Sequence, residues 1–154
     1  MGTVDLHYDP IRNLFSLAVQ VIVDDGTGPK FLPVEMYVDT GSNRTFLALD
    51  KAIELGITSF SGNEMVGGIA GIGGAPVLNN VDLLLFEGKV IHLDSILIMV
   101  PPGRKDKKKK GPLVYTRDWK TDPISLFGLD ALRKLRGRVS VDLRVDPEGR
   151  IDWD

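Results

Sequence analysis

The 154-residue chain is 43% hydrophobic and 26% charged, a balance that suits one domain able to bury roughly two-thirds of its unfolded surface. Its 19 basic and 21 acidic residues leave a net charge of −2, which argues against a protein that coats nucleic acid, where a strong basic excess is the rule. The absence of cysteine excludes disulfides, thiolate zinc sites and a cysteine nucleophile, and His7 and His92 are too few and too scattered for a histidine-led metal site.

In chain order, Asp5, His7 and Asp9 interrupt any apolar leader at the N-terminus. Phe15, Leu17, Val19 and Val21 alternate with Leu14, Ser16, Ala18 and Gln20, the period of a strand. Asp24 to Pro29 has the composition of a chain reversal, and Phe31–Val38 reads as the returning strand, with Pro33 directing part of it to an edge or bulge. Asp50–Leu55 predicts a short helix closed by Gly56. Val81–Phe86 and Val90–Met99, separated by Glu87-Gly88-Lys89, predict a hairpin. Leu129–Leu135 predicts a second short helix, ended by Gly137, and Arg138–Val145 and Arg150–Trp153 predict two strands around the turn Pro147-Glu148-Gly149. Many short strands, frequent turns and one or two short helices predict a mainly β barrel or sandwich. The longest apolar runs, Leu83–Phe86 and Ile96–Val100, are far short of the ~20 residues of a membrane helix, so the expectation is a cytoplasmic protein without a membrane partner. Between Pro101 and Pro123 lies the basic run Arg104 to Lys110. Charges so dense repel one another and resist burial, which predicts an exposed insertion. No aromatic residue interrupts that run to stack on bases, so nucleic acid is not the expected partner.

Three segments carry chemistry. The apolar run Val34 to Val38 ends in Asp39-Thr40-Gly41-Ser42; an acid at the end of a hydrophobic strand must be solvated locally, and a tight Thr-Gly turn offers backbone N–H donors to it. Taken alone, the triplet is a weak signal, and a simple Asx turn accounts for it. Met65 to Gly74 (MVGGIAGIGG) mixes glycine with apolar residues between two strand-like runs. It lacks the order of a dinucleotide fingerprint and the Gly-Lys-Ser/Thr of a phosphate loop, and its composition suits a bending hairpin that closes over a substrate. Ile124 to Leu132 brings two bulky apolar residues and Gly128 into the second helix, a pattern that a buried strand with close helix packing also produces.

Together, in this order, the three segments resemble the retropepsin-like aspartic proteases, the single-domain relatives of pepsin that include the retroviral enzymes. The similarity runs from about Leu14 to Leu143 and leaves the basic insertion, about residues 101–123, outside it. The resemblance implies a closed acid-protease β-barrel forming one domain over residues 1–154. It makes Asp39, Thr40 and Gly41 the catalytic motif, with Ser42 orienting the outer carboxylate oxygen. Ile69, Ala70, Gly71, Ile72 and Gly73 become the tip of a flap that binds a peptide or protein substrate as an added strand. No metal and no organic cofactor is implied.

Two carboxylates must share one proton in that chemistry, and the chain holds one Asp-Thr-Gly; Asp25-Gly26-Thr27 has the wrong order. The second aspartate is therefore expected from another copy in a two-fold homodimer. Two departures are notable. Retroviral members carry an Asp two residues after the motif's glycine and an Arg after the later glycine; here those positions hold Asn43 and Leu129, so a paired charge is lost as a unit. The alternative reading is a retropepsin-like dimerisation or peptide-binding module without catalysis, against which the intact Asp39-Thr40-Gly41 stands.

Overall fold

The computed structural model describes residues 1–68, 71–100 and 123–154. The basic segment, apart from Pro123, and the residues Ile69 and Ala70 lie outside the described residues. The chain is mainly β: β1 (Gly2–Asp9), β2 (Leu14–Asp24), β3 (Pro29–Val38), β4 (Phe46–Ala48), α1 (Leu49–Glu54), β5 (Asn63–Gly68), β6 (Gly71–Leu84), β7 (Val90–Met99), β8 (Ser125–Phe127), α2 (Leu129–Leu135), β9 (Arg138–Val141) and β10 (Gly149–Trp153).

The strands hydrogen-bond in the order β5-β6-β7-β4-β8-β3-β2-β1-β10-β9, and β6 pairs additionally with β2. The pairings β2–β3–β8–β4–β7–β6 thus return to β2. Most are antiparallel; β3 runs parallel to β8 and β4 parallel to β7. Alternation decides the inner face. Leu17, Val19, Val21 and Val23 of β2 are all buried and meet Val34 and Met36 of β3, Val81 and Leu83 of β6, and Ile91 and Leu93 of β7. At about 1.5–3 kcal/mol per fully buried aliphatic side chain, this cluster is the main source of stability. Asn80, with φ +54°, interrupts the alternation: Leu78 and Ile96 are buried on one side of it, Val81 and Leu93 on the other.

A second, smaller cluster joins Tyr37, Phe46, Ala75, Leu97 and Leu126, with Leu14, Val66, Val77, Met99 and Ile124 partly buried against it. It carries residues from both arms of the β5–β6 hairpin and from the strands that flank Asp39.

Several expectations need correction. β1 is an addition to the expected strands: Gly2, Val4, Leu6 and Tyr8 turn inward and Thr3, Asp5 and His7 outward, although only Gly2 and Leu6 are fully buried. The strand expected over Arg138–Val145 stops at Val141, because Asp142 turns the chain by accepting from the Arg144 amide and guanidinium. The left-handed residue that closes α2 is Arg136 (φ +54°), not Gly137. Gly137 sits in a tight space instead: a Cβ there would lie 3.0 Å from Ile151 Cγ2 and 3.2 Å from Leu135 Cδ2. Gly56, by contrast, follows α1 with φ +79°, as expected. The Glu87-Gly88-Lys89 connection holds a short 3-10 turn over Phe86–Gly88, and the strand expected over Val81–Phe86 is the end of the 14-residue β6, which begins at Gly71 and stops at Leu84.

Candidate active site

β3 delivers Asp39 to the end of the sheet, and four local bonds fix it there. Its own amide donates to the Phe127 carbonyl at 3.1 Å, continuing the parallel β3–β8 ladder by one residue. Its carbonyl accepts from the Ser42 amide at 3.2 Å, closing a turn over residues 39–42. The Gly41 amide donates to Asp39 Oδ1 at 2.9 Å, so the carboxylate is solvated by the turn, as the strand-end position requires. A Cβ on Gly41 would lie 3.2 Å from that same oxygen, tighter than side chains normally pack. The Leu129 amide donates to the Ser42 carbonyl at 2.8 Å and ties the turn to α2.

Asp39 is half-buried, whereas Thr40 and Gly41 are exposed. The structure therefore gathers Asp39, Thr40, Gly41 and Ser42 into one rigid turn with its polar groups at an open face. The Ser42 hydroxyl does not reach the carboxylate: it donates to the Arg44 carbonyl at 2.7 Å, bracing the next loop. Gly71, Ile72 and Gly73 begin β6, opposite Gly68, Gly67 and Val66 of β5. Two surface clefts, one lined by Val23, Gly56 and Phe60 and the other by Asp5, Val145 and Pro147, contain no residue of this turn.

Two polar residues that sequence reasoning missed hold the loop from behind. Thr45, fully buried, donates from its amide to Asp130 Oδ2 at 3.0 Å and from its hydroxyl to Asp130 Oδ1 at 2.6 Å. The same hydroxyl accepts from the Gly128 amide at 3.2 Å. Asp130 sits in the first turn of α2, where a carboxylate is favoured by the helix dipole. Gly128 is the point of closest approach: a Cβ there would stand 2.3 Å from the Arg44 carbonyl oxygen and 3.0 Å from the Thr45 amide nitrogen. Its φ of −89° is ordinary, so glycine is required for room and not for conformation. Behind this, the buried Ser125 hydroxyl accepts from the Ala48 amide at 2.9 Å.

A third polar group flanks the site. The Tyr37 hydroxyl donates to Asp9 Oδ2 at 2.7 Å, and the Arg12 guanidinium lies 5.5 Å above the Tyr37 ring. The Tyr37 hydrogen bond, helped by amide donors from Arg12 and Ile11 and opposed by desolvation, holds the Asp9 carboxyl down at about 2. Burial, then the bond to Asp9, pushes the Tyr37 phenol up to about 12. Among the described residues, no group of three or more His, Asp or Glu is placed to hold a metal ion, and no helix is long and apolar enough to cross a membrane.

No protein-family profile and no curated protein matches the chain by sequence. Solved structures do. The chain is similar to the EIAV protease complexed with the inhibitor HBY-793, with a TM-score of 0.55 and 14% identity over 86% of this chain and 98% of that one. It is similar also to a retropepsin-like aspartic protease from Rickettsia conorii, with a TM-score of 0.56 and 17% identity over 97% of this chain and 89% of that one. The fold is retropepsin-like.

Proposed function

We propose that the chain is an aspartic endopeptidase, forming one retropepsin-like domain whose ring of strand pairings is the closed barrel of that fold. The observation that carries this reading is the Asp39 turn: a strand-end carboxylate, solvated by the Gly41 amide and open to one face, in a fold shared with aspartic proteases. One Asp39 has no carboxylate partner in its own Asp-Thr-Gly turn, so the reactive pair needs a second copy of the chain. In that pair one carboxylate takes a proton from water while the other, protonated, hydrogen-bonds the scissile carbonyl. Water adds to the carbonyl carbon, and the proton returns to the departing amine as the C–N bond breaks. Thr40, exposed beside Asp39, is assigned the hydrogen bond across the two-fold axis.

The β5–β6 hairpin is the flap in this reading, its arms described and its tip, Ile69 and Ala70, outside the described residues. The arms lie against the second apolar cluster through Val66, Ala75 and Val77, which supports a peptide running between them and the Asp39 turn. The C-terminal hairpin, Arg138–Trp153, is the proposed contact between copies. β9 ends the strand order, and Val141, Leu143 and Val145 are exposed there.

The test is cleavage of a mixed peptide library between pH 4 and 7 by the wild type and by Asp39→Asn. The variant is expected to lose about 10²–10⁴-fold in rate, the usual size of an acid–base contribution, and pepstatin-type inhibitors to block the wild type. Equal cleavage by both proteins overturns the reading. Specific peptide binding without cleavage by either would favour a non-catalytic module.

A further inference from the structure

Among the described residues, one ionic link joins the Asp39 turn and the β5–β6 hairpin. Thr40 to Thr45 contains a single charged residue, Arg44, and the hairpin segment 63–76 contains a single charged residue, Glu64. The two are opposite in sign and meet: Arg44 Nε lies 3.0 Å from Glu64 Oε2.

The two ends of this link are held very differently. The Arg44 main chain is locked, since its carbonyl accepts from the Ser42 hydroxyl and packs against Gly128. Its guanidinium is aimed by Ser95 of β7, whose Oγ accepts from Nη2 at 2.7 Å. Glu64 instead sits on β5 opposite Ala75, with its side chain 44% exposed. Arg44 Nε is itself buried but has no aligned hydrogen-bond acceptor, so charge and not a linear N–H···O bond holds the pair. From Val77 onward β6 is paired with β7; before it, the hairpin arms meet the body through the apolar Val66 and Ala75. Such contacts are adhesive without direction; the ion pair supplies the direction.

We infer that Arg44 and Glu64 are positioning residues, a tie that sets the height and register of the hairpin above the Asp39 turn. The consequence for catalysis rests on the protease reading; the tie itself does not. A peptide between hairpin and turn would be gripped by main-chain bonds whose length the tie fixes, so its loss should weaken substrate binding more than the chemical step.

Amide hydrogen exchange on the full chain tests the tie without any substrate. Arg44→Gln and Glu64→Gln are each expected to speed exchange of the β5–β6 amides by about 1.5- to 5-fold, the range of a partly exposed pair. The β2–β3 amides should be unchanged, and raised salt should act on the wild type in the same direction. Glu64→Arg should speed exchange further, and the double reversal R44E/E64R should restore it to within about twofold of wild type. Hairpin exchange unchanged in both glutamine variants overturns the tie. Should Arg44→Gln also disturb the β2–β3 amides, Glu64→Gln, changed on the exposed partner alone, decides the matter. In peptide cleavage, each single variant is expected to raise KM several-fold with kcat nearly unchanged, and the double reversal to restore KM. Faster exchange with wild-type KM overturns the positioning role. A wild type that exchanges as expected but cleaves nothing leaves the tie standing and removes the protease reading.

Discussion

Asp9 shows how much one hydrogen bond from a buried phenol can do. With the Tyr37 hydroxyl and two backbone amides on it, its carboxyl is held near 2, below the ordinary 3.8. The folded chain therefore prefers the ionised form. The associated stability is present in full above about pH 4 and is lost as pH falls from there toward 2. The urea midpoints of wild type and Asp9→Asn should differ by a constant amount from pH 5 to 8 and converge between pH 4 and 2. A gap that persists undiminished at pH 2 would mean that the carboxylate is not what Tyr37 holds. Asp9 carried no signal in the sequence, since its partner lies 28 residues away. Asp39 was legible because its solvating donor, the Gly41 amide, lies two residues on and the turn chemistry is written locally. Thr45 and Asp130, 85 residues apart, are ordinary residues until the fold sets them face to face.

At the level of elements, the junction of β8 and α2 is tightly constrained. Phe127 is fully buried, and its truncation to alanine should cost about 3–5 kcal/mol, read as a fall in the denaturation midpoint at constant m-value. Gly128→Ala meets main chain, not a flexible side chain, at 2.3 Å. The Arg44–Thr45 segment must move, at about 1–3 kcal/mol or more, and because that segment follows the Asp39 turn, activity should fall further than stability alone explains. A Gly128→Ala protein with wild-type midpoint and turnover would show that the close approach is not required. The β2–β3 pair was readable from alternation and an Asp-Gly-rich turn. Pairings with little local pattern were not, such as the three-residue strands β4 and β8, whose partners are set by the whole sheet. The hairpin glycines are a different case. Gly67, Gly73 and Gly74 have no positive φ, and nothing lies within 4 Å of the Cβ position at Gly67 or Gly73. Neither conformation nor crowding there demands glycine, which leaves freedom of the chain as its physical effect.

For the molecule as a whole, the reading demands that activity follow association. Specific activity should fall on dilution along the same curve as the dimer fraction measured by sedimentation, and Val141→Asp or Leu143→Asp should shift both curves to higher concentration. A strict monomer at micromolar concentration that still cleaves peptides would contradict the shared site.

The clamp of Thr45 on Asp130 bears on this in another way. α2 holds the Asp39 turn at its first residues, through Leu129 and Asp130, and after Gly137 the chain enters β9, the proposed contact edge. Both sites are thus attached to one short rigid body. Ligand occupancy and subunit association become linked equilibria, and linkage is reciprocal: whatever factor an inhibitor at Asp39 gains from association, association gains from the inhibitor. Saturating inhibitor should therefore lower the dimer dissociation constant of the wild type, and Asp130→Ala should reduce that shift while leaving the β9 surface untouched.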